Sequence, residues 1–386
     1  MLDFIGQANR RYNFEDKFAA LLSNATRSVS REIKDGFVSV PKGCYIQLEK
    51  KAAKYILDNI RASYGNTAGL VSRAASFDED SGLELTLANF LDYYHLDPRA
   101  IYKFSSFSRI CARADALEDF SEPLESILTK AFAKLAVVDS RRWISFLLDI
   151  LPRLDDVDFA AVSDVEKRMM QMFYITVWGK TAENWNSEEV LDNLHALSDS
   201  TVLLNELTEL LRYRFEQIDF IDESVDLGFD CPLDLHCTYT RDQLLAAMDF
   251  MKPATVREGV KWLPDKQLDV FFVTLNKADK DYSPTTMYND YSISESLFHW
   301  QSQSTTAENS PTGQRYIHHR ERGSKVLLFV REFKSDRMTG GAEAYTYLGT
   351  ASYVKHEGSR PMNITWKLDR PIPAKFLKKT NKLAVG

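Results

Sequence analysis

The stretch Tyr282–His319, YSPTTMYNDYSISESLFHWQSQSTTAENSPTGQRYIHH, sets six aromatic rings (Tyr282, Tyr288, Tyr291, Phe298, Trp300 and Tyr316) among amides, hydroxyls and imidazoles. Around Trp300 the side chains alternate as on a strand. Phe298, Trp300 and Ser302 fall on one face, and Leu297, His299, Gln301 and Gln303 on the other. One face carries large rings and the other is rich in amides. Such a strand fits a pocket for a flat polar ligand, in which rings stack on a nucleobase and Asn, Gln, Asp or His read its edge. It fits equally a strand-rich core whose polar residues face water.

Working outward, strand-like runs recur at Leu268–Asn276, Ile293–Gln303, Arg315–His319, Val326–Phe333, Tyr345–Val354 and Met362–Leu368. Short strands separated by Gly and Pro predict a small, partly closed barrel or a strongly bent sheet. Upstream, Thr240 and Gln243 form a capping box that opens a short helix ending before Pro253. From Leu83 to Ile218 the pattern is nearly all helical. Thr86 caps one helix and Asp97-Pro98 opens the next, a pair that resembles a helix-turn-helix but is commoner as a plain packing unit. Further helices are expected at Pro123–Val138, Arg141–Leu151, Ser163–Trp178, Ser187–Leu197 and Thr201–Phe215, with no repeat period among them. Near the start, Phe14–Glu32 and Lys50–Tyr64 also have helical spacing. The expected fold is therefore multidomain α + β, mostly helical over its N-terminal two-thirds. The domains are 1–82 (α with a short extended segment), 83–250 (a helical scaffold) and 251–386 (the strand-rich domain).

The charge distribution supports the boundary at 251. Residues 251–386 carry 21 Lys+Arg against 14 Asp+Glu, whereas residues 1–250 carry 27 against 41. A basic C-terminal third on a chain of net charge -7 is the footprint of a module that meets a polyanion, unless the balance drifts by chance between domains. No apolar run approaches the roughly twenty residues of a membrane span, and no signal peptide opens the chain. Four scattered cysteines (Cys44, Cys111, Cys231 and Cys237) make no disulfide framework, so a reducing, cytoplasmic location is expected.

Catalytic and cofactor motifs are lacking. There is no phosphate-binding P-loop and no Gly-x-Gly-x-x-Gly run, and neither Glu32-Ile33-Lys34 nor His318-His319 has the partners of a nuclease. Cys231, His236 and Cys237 lie close in sequence but lack a fourth ligand at zinc spacing. No cofactor and no metal are expected, and the chain is not expected to be an enzyme by itself.

The candidates for binding are more specific. Asp290, between Tyr288 and Tyr291, is the carboxylate of the polar-aromatic loop; it could accept from a cytosine amine or simply brace a turn. Gln301 and Gln303 are candidates for the base edge, and Tyr288, Tyr291, Phe298 and Trp300 for stacking. Ser283, Thr285 and Thr286 offer hydroxyls to phosphate. Arg315, Arg320, Arg322 and Lys325, followed by Arg331, form a basic cluster around Gly323 that would track a phosphate backbone or else line a solvated loop.

Several separated motifs carry a resemblance. These are YSPTTMYNDYSISESLFHWQSQ (282–303), TGQRYIHH (312–319), KVLLFVRE (325–332) and YTYLGTASYVKHEGSRPMNITWKLDRPIP (345–373). Together they resemble the uncharacterised C-terminal domain of certain superfamily-two helicases, including SauUSI-like, modification-dependent (type IV) restriction enzymes. LDFIGQANRRYNFEDKF (2–18) resembles the segment after the second helicase lobe, and LTLANFLDYYHLDPRAIY (85–102) the helical linker. The abrupt apolar start reads as a chain cut from something longer. The resemblance implies a PUA/SRA-like β-barrel at 251–386 that flips out and reads 5-methyl- or 5-hydroxymethylcytosine in double-stranded DNA. It also implies, as partners, the helicase and nuclease domains of a parent chain, with 1–82 a remnant after the helicase lobe. The alternative expectation is an interaction module, in which helices 83–218 form a homodimer and the barrel binds protein or unmodified DNA.

Overall fold

The computed structural model describes residues 66–275, 290–336 and 338–373, together with 18, 29–37, 40, 45–48, 53, 57 and 377. The chain divides into two compact units. One comprises Met1–Ala136 with Ala196–Tyr213; the other comprises Val137–His195 with Arg214–Gly386. The sheet and the helices of 137–195 thus belong to the same unit. No described helix is long and apolar enough to cross a membrane.

Over its described residues the first unit is mostly helical, as its periodicity predicts. Thr86 accepts from the Asn89 N–H at 3.2 Å and starts the helix Leu87–Tyr94, which ends with His95 in the left-handed region. Phe77, Phe90 and Phe107 are buried, and their rings pack in sequence at 5.7 and 5.3 Å. Two carboxylates cap helices distant in sequence. Glu206, inside the helix Thr201–Glu216, accepts from the Phe107 and Ser108 N–H groups at 2.7 and 2.8 Å, at the start of the helix Phe107–Arg113. Glu122 accepts in turn from Val202 and Leu203 at 2.7 and 3.1 Å, at the start of Thr201–Glu216. Orphan N–H donors at each helix start are satisfied by side chains that no local motif reveals.

The second unit is built on one mixed sheet of eight strands: β1 (Thr238–Tyr239), β2 (Val260–Leu263), β3 (Leu268–Thr274), β4 (Tyr291–Ser292), β5 (Leu297–Gln301), β6 (Lys325–Arg331), β7 (Tyr345–Glu357) and β8 (Asn363–Leu368). Their order is β2-β3-β6-β7-β8-β5-β4, with β1 paired to the start of β7. Among the described residues only β3 and β6 pair in parallel. The expected partly closed barrel does not form among the described residues: β2 and β4 are the two ends of an open sheet. The fold is α + β. β3 is buried along its whole length, as expected of a strand packed on both faces.

One face of the sheet carries a core of Phe271, Phe298, Trp300, Val326, Leu328, Ile364 and Trp366, to which Tyr316 is added from a helix. On the other face Phe272 lies 5.7 Å from Phe329, and Phe329 stacks on Tyr347 at 4.7 Å. The expected capping box is present: Thr240 and Gln243 cap the helix Arg241–Ala247, which is buried from Gln243 onward.

The expected strand at Arg315–His319 is instead the end of a helix, Pro311–Ile317. Ser310 accepts from the Gly313 N–H at 3.0 Å and Pro311 takes the first turn, where its missing N–H costs nothing. Gly313 and Tyr316, three residues apart, are the buried positions. A Cβ at Gly313 would lie 2.2 Å from the Ala307 carbonyl oxygen and 2.7 Å from that of Glu308, so only glycine lets the 303–310 loop close on this helix. We expect Gly313→Ala to destabilise the protein by about 1–3 kcal/mol, the usual range for overpacking, measured by urea unfolding. Gly341→Ala, whose Cβ meets nothing closer than 3.5 Å, should fall within roughly 0.5 kcal/mol of the parent.

Candidate nucleic-acid interface

The alternation read on 297–303 is realised on β5. Phe298 and Trp300 are buried, whereas Leu297, His299 and Gln301 are half-buried on the opposite face. Trp300 lies 4.1 Å from Phe271 with ring planes 13° apart, and both belong to the core. These two rings are therefore interior stacking surface rather than a cage open to solvent.

The opposite face carries polar neighbours across the sheet. Tyr291 on β4 stacks on its cross-strand partner His299 at 4.7 Å and 11°. Gln301 donates its amide to the Asn363 side-chain oxygen at 3.1 Å, and Asn363 pairs in register with Glu357 of β7. Gln303 donates to the Glu258 carboxylate. A ring pair beside two amides offers both stacking and two-pronged hydrogen bonding.

Asp290 is 3 % exposed and accepts from the Gln301 backbone N–H at 2.9 Å. It braces the β4–β5 pairing, the turn-bracing role left open by sequence. Ser283, Thr285, Thr286 and Tyr288 lie outside the described residues.

The basic cluster separates into different roles. Arg315 forms a two-pronged pair with Asp269 on β3 at 2.8 and 2.9 Å, and its guanidinium lies 4.3 Å from the Trp262 ring centre. Asp269 is fully buried. Burial raises its pKa and the Arg315 charge opposes that rise; the two-pronged geometry favours the ionised pair. Lys325 donates to the Asp226 carbonyl at 2.8 Å. Arg331 donates to Thr274 Oγ1 at 2.9 Å. Arg320 and Arg322 are exposed in the turn after the helix, with no side-chain hydrogen bond or ion pair among the described residues. They are the members of the cluster free to meet phosphate.

His319 fixes that turn. Its Nδ1 faces the Ser324 carbonyl at 3.1 Å, and its Nε2 accepts from the Tyr353 N–H at 3.1 Å. The two contacts define a neutral imidazole with the proton on Nδ1. Its neighbour His318 contacts Glu321 at 3.0 Å instead, so the histidine pair shares no ligand site.

Cys231, His236 and Cys237 do not converge as a metal site. Burial pushes the Cys231 thiol up to about 12 and Cys237 higher still, so both are protonated. Cys237 instead lies with Asp222 and Asp234. Asp234 is already engaged by Ser140 at 2.6 Å and Arg142 at 2.7 Å.

Sequence reasoning missed a second polar group, on the ring-bearing side of the sheet. Tyr353 Oη is 2.6 Å from His356 Nδ1, and His356 Nε2 is 3.6 Å from Glu308 Oε2. A strand pattern was read only as far as Val354, so His356 fell outside it. Glu308 comes from the loop held by Gly313, a contact without sequence periodicity.

Residues 233–379 match the family model described as a domain of unknown function, DUF3427. No curated protein matches the chain.

Two outcomes are expected from this geometry. Arg315→Ala strands a buried carboxylate and should cost about 3–5 kcal/mol in denaturant unfolding, whereas Arg320→Ala should cost less than about 0.5 kcal/mol. Burial, against the Ser324 carbonyl, lowers the His319 pKa below its unfolded value of about 6.5. The unfolded chain therefore binds this proton first as pH falls. His319's contribution should be complete above about pH 6.5 and lost as pH falls toward its folded pKa. Urea midpoints between pH 5 and 8 should show this slope, reduced in His319→Gln.

Proposed function

We propose that residues 233–379 form a nucleic-acid reading module that recognises modified cytosine, 5-methyl or 5-hydroxymethyl, in double-stranded DNA. In this reading the module is the target-recognition part of a larger restriction helicase, on a fold related to PUA/SRA-like readers although its sheet is open. The observation that carries the proposal is the division of β5. Its rings form one wall of an aromatic core, and its other face sets the Tyr291–His299 stack beside Gln301 and Asn363. Arg320 and Arg322 supply unpaired positive charge on the same unit, as phosphate contacts require. The motif resemblance adds the modified base and the restriction context, and the matched family, whose function is unknown, is compatible with both. Catalysis is not part of the proposal.

The test is binding of the full chain to one duplex carrying cytosine, 5-methylcytosine or 5-hydroxymethylcytosine at fixed, roughly physiological salt. A preference of tenfold or more, about 1.4 kcal/mol, is expected for a modified duplex. Arg320→Ala should weaken binding to all three by a similar factor and flatten the salt dependence. Equal binding to all three duplexes would overturn base reading and leave an interaction module.

A further inference from the structure

The candidate carboxylate Asp290 spends an oxygen on the Gln301 N–H and is buried. If a cytosine is read, the carboxylate that accepts from its amine must come from elsewhere, and the ring-bearing side of the sheet supplies one. The strand registers place Phe298, Trp366 and Tyr353 side by side across β5, β8 and β7, with Trp300, Ile364 and His356 in the next row. Phe298, Trp366, Trp300 and Ile364 are buried, whereas Tyr353 and His356 are half-buried, so these two mark the solvent margin of the aromatic core.

Three observations meet at this margin. First, Tyr353, His356 and Glu308 form a chain of polar contacts, from the phenol oxygen to Nδ1 and from Nε2 to the carboxylate. Burial first, and the Glu308 charge second, raise the Tyr353 pKa and keep the phenol a donor. Second, Glu308 is more than half exposed, so its carboxylate retains capacity for another donor. Third, Trp366 is 1 % exposed, yet its indole N–H has no hydrogen-bond acceptor among the described residues. Buried donors are nearly always satisfied, so this N–H is available to an acceptor from outside the chain, a water or a ligand. The rings of Phe271, Trp300, His319 and Tyr353 surround Trp366 at 5.6, 6.5, 5.7 and 6.2 Å between centres.

We infer that the Tyr353–His356–Glu308 chain and the Trp366 indole N–H form the edge-reading part of a cytosine site on the ring-bearing side of the sheet. The inference rests on the base-reading proposal and moves the groups that select the base edge from the amide face to the ring-bearing side. The exocyclic amine of a flipped cytosine donates to Glu308, and a ring or carbonyl acceptor of the base takes the Trp366 N–H. His356 is a positioning residue that holds the carboxylate. Uracil presents a carbonyl where cytosine presents the amine, so a carboxylate repels it, whereas an amide accommodates either base.

The experiment measures binding of the full chain to a duplex with a single mismatched, readily flipped pyrimidine: cytosine, 5-methylcytosine or uracil. The wild type should prefer cytosine over uracil by at least tenfold. Glu308→Gln, isosteric and in an exposed position, should bring the two within about twofold, and His356→Ala should fall between. A melting temperature for each variant confirms that it is folded. Cytosine-over-uracil preference that depends on Glu308, without any response to the methyl group, would sustain this site and overturn modified-base reading. Methyl preference with cytosine-over-uracil discrimination unchanged in both variants would overturn this site and leave the reading intact. Neither preference in the wild type would overturn both.

Discussion

The pair of Asp269 and Arg315 is the contact on which the second unit depends. It puts a fully buried carboxylate on β3, next to β6 in the only parallel pairing among the described residues, and matches it with a guanidinium from the helix Pro311–Ile317. A charge removed from water is tolerable only with a partner of fixed geometry, and the planar guanidinium provides it through two parallel hydrogen bonds under the Trp262 ring. The helix so anchored delivers Tyr316 to the core and, through the glycine contact, holds the 303–310 loop. Arg315, one of the phosphate-contact candidates read from the sequence, thus has a structural role. The charge available for an outside polyanion is in the turn beyond it, at Arg320 and Arg322.

The same anchoring accounts for the asymmetry of the sheet. Where β3, β6 and the start of β7 run together, both faces are packed: Phe271 and Leu328 on one side, Phe272 and Phe329 on the other. Toward β8, β5 and β4 only the ring-bearing side remains apolar, and the other side carries His299, Gln301 and Asn363. An antiparallel edge with one dry and one wet face is a common stable solution, and it leaves a surface on which recognition can be built without disturbing the core. Its two margins differ in chemistry. The amide side presents neutral donors and acceptors, whereas the margin at Tyr353 and His356 joins an aromatic interior to a carboxylate.

In the helical unit, Glu206 and Glu122 protect two helix starts against fraying. Each satisfies two backbone donors at the start of a helix remote in sequence. Burial raises the pKa of Glu206, and the Ser108 and Phe107 donors oppose that rise, so the capping geometry offsets part of the desolvation.

Local rules of sequence determined a good part of this protein. Thr86 and the Thr240–Gln243 box begin helices, the 297–301 alternation separates buried rings from half-buried polar groups, and the apolar runs at Leu268, Val326, Tyr345 and Met362 mark strands. These features depend on neighbours a few residues away, so one chain suffices to read them. The helix Pro311–Ile317 was equally local, with Ser310 as its cap and Pro311 in its first turn, signals that the strand reading of 315–319 passed over; tertiary structure alone decided that its buried face is Gly313 and Tyr316. It alone decided that the sheet stays open, that Arg315 and Asp290 are consumed internally, and that Tyr353, His356 and Glu308 meet. Each of these outcomes depends on which distant group reaches a buried charge or donor first. That competition is settled by the geometry of packing, and no periodicity along the chain encodes it.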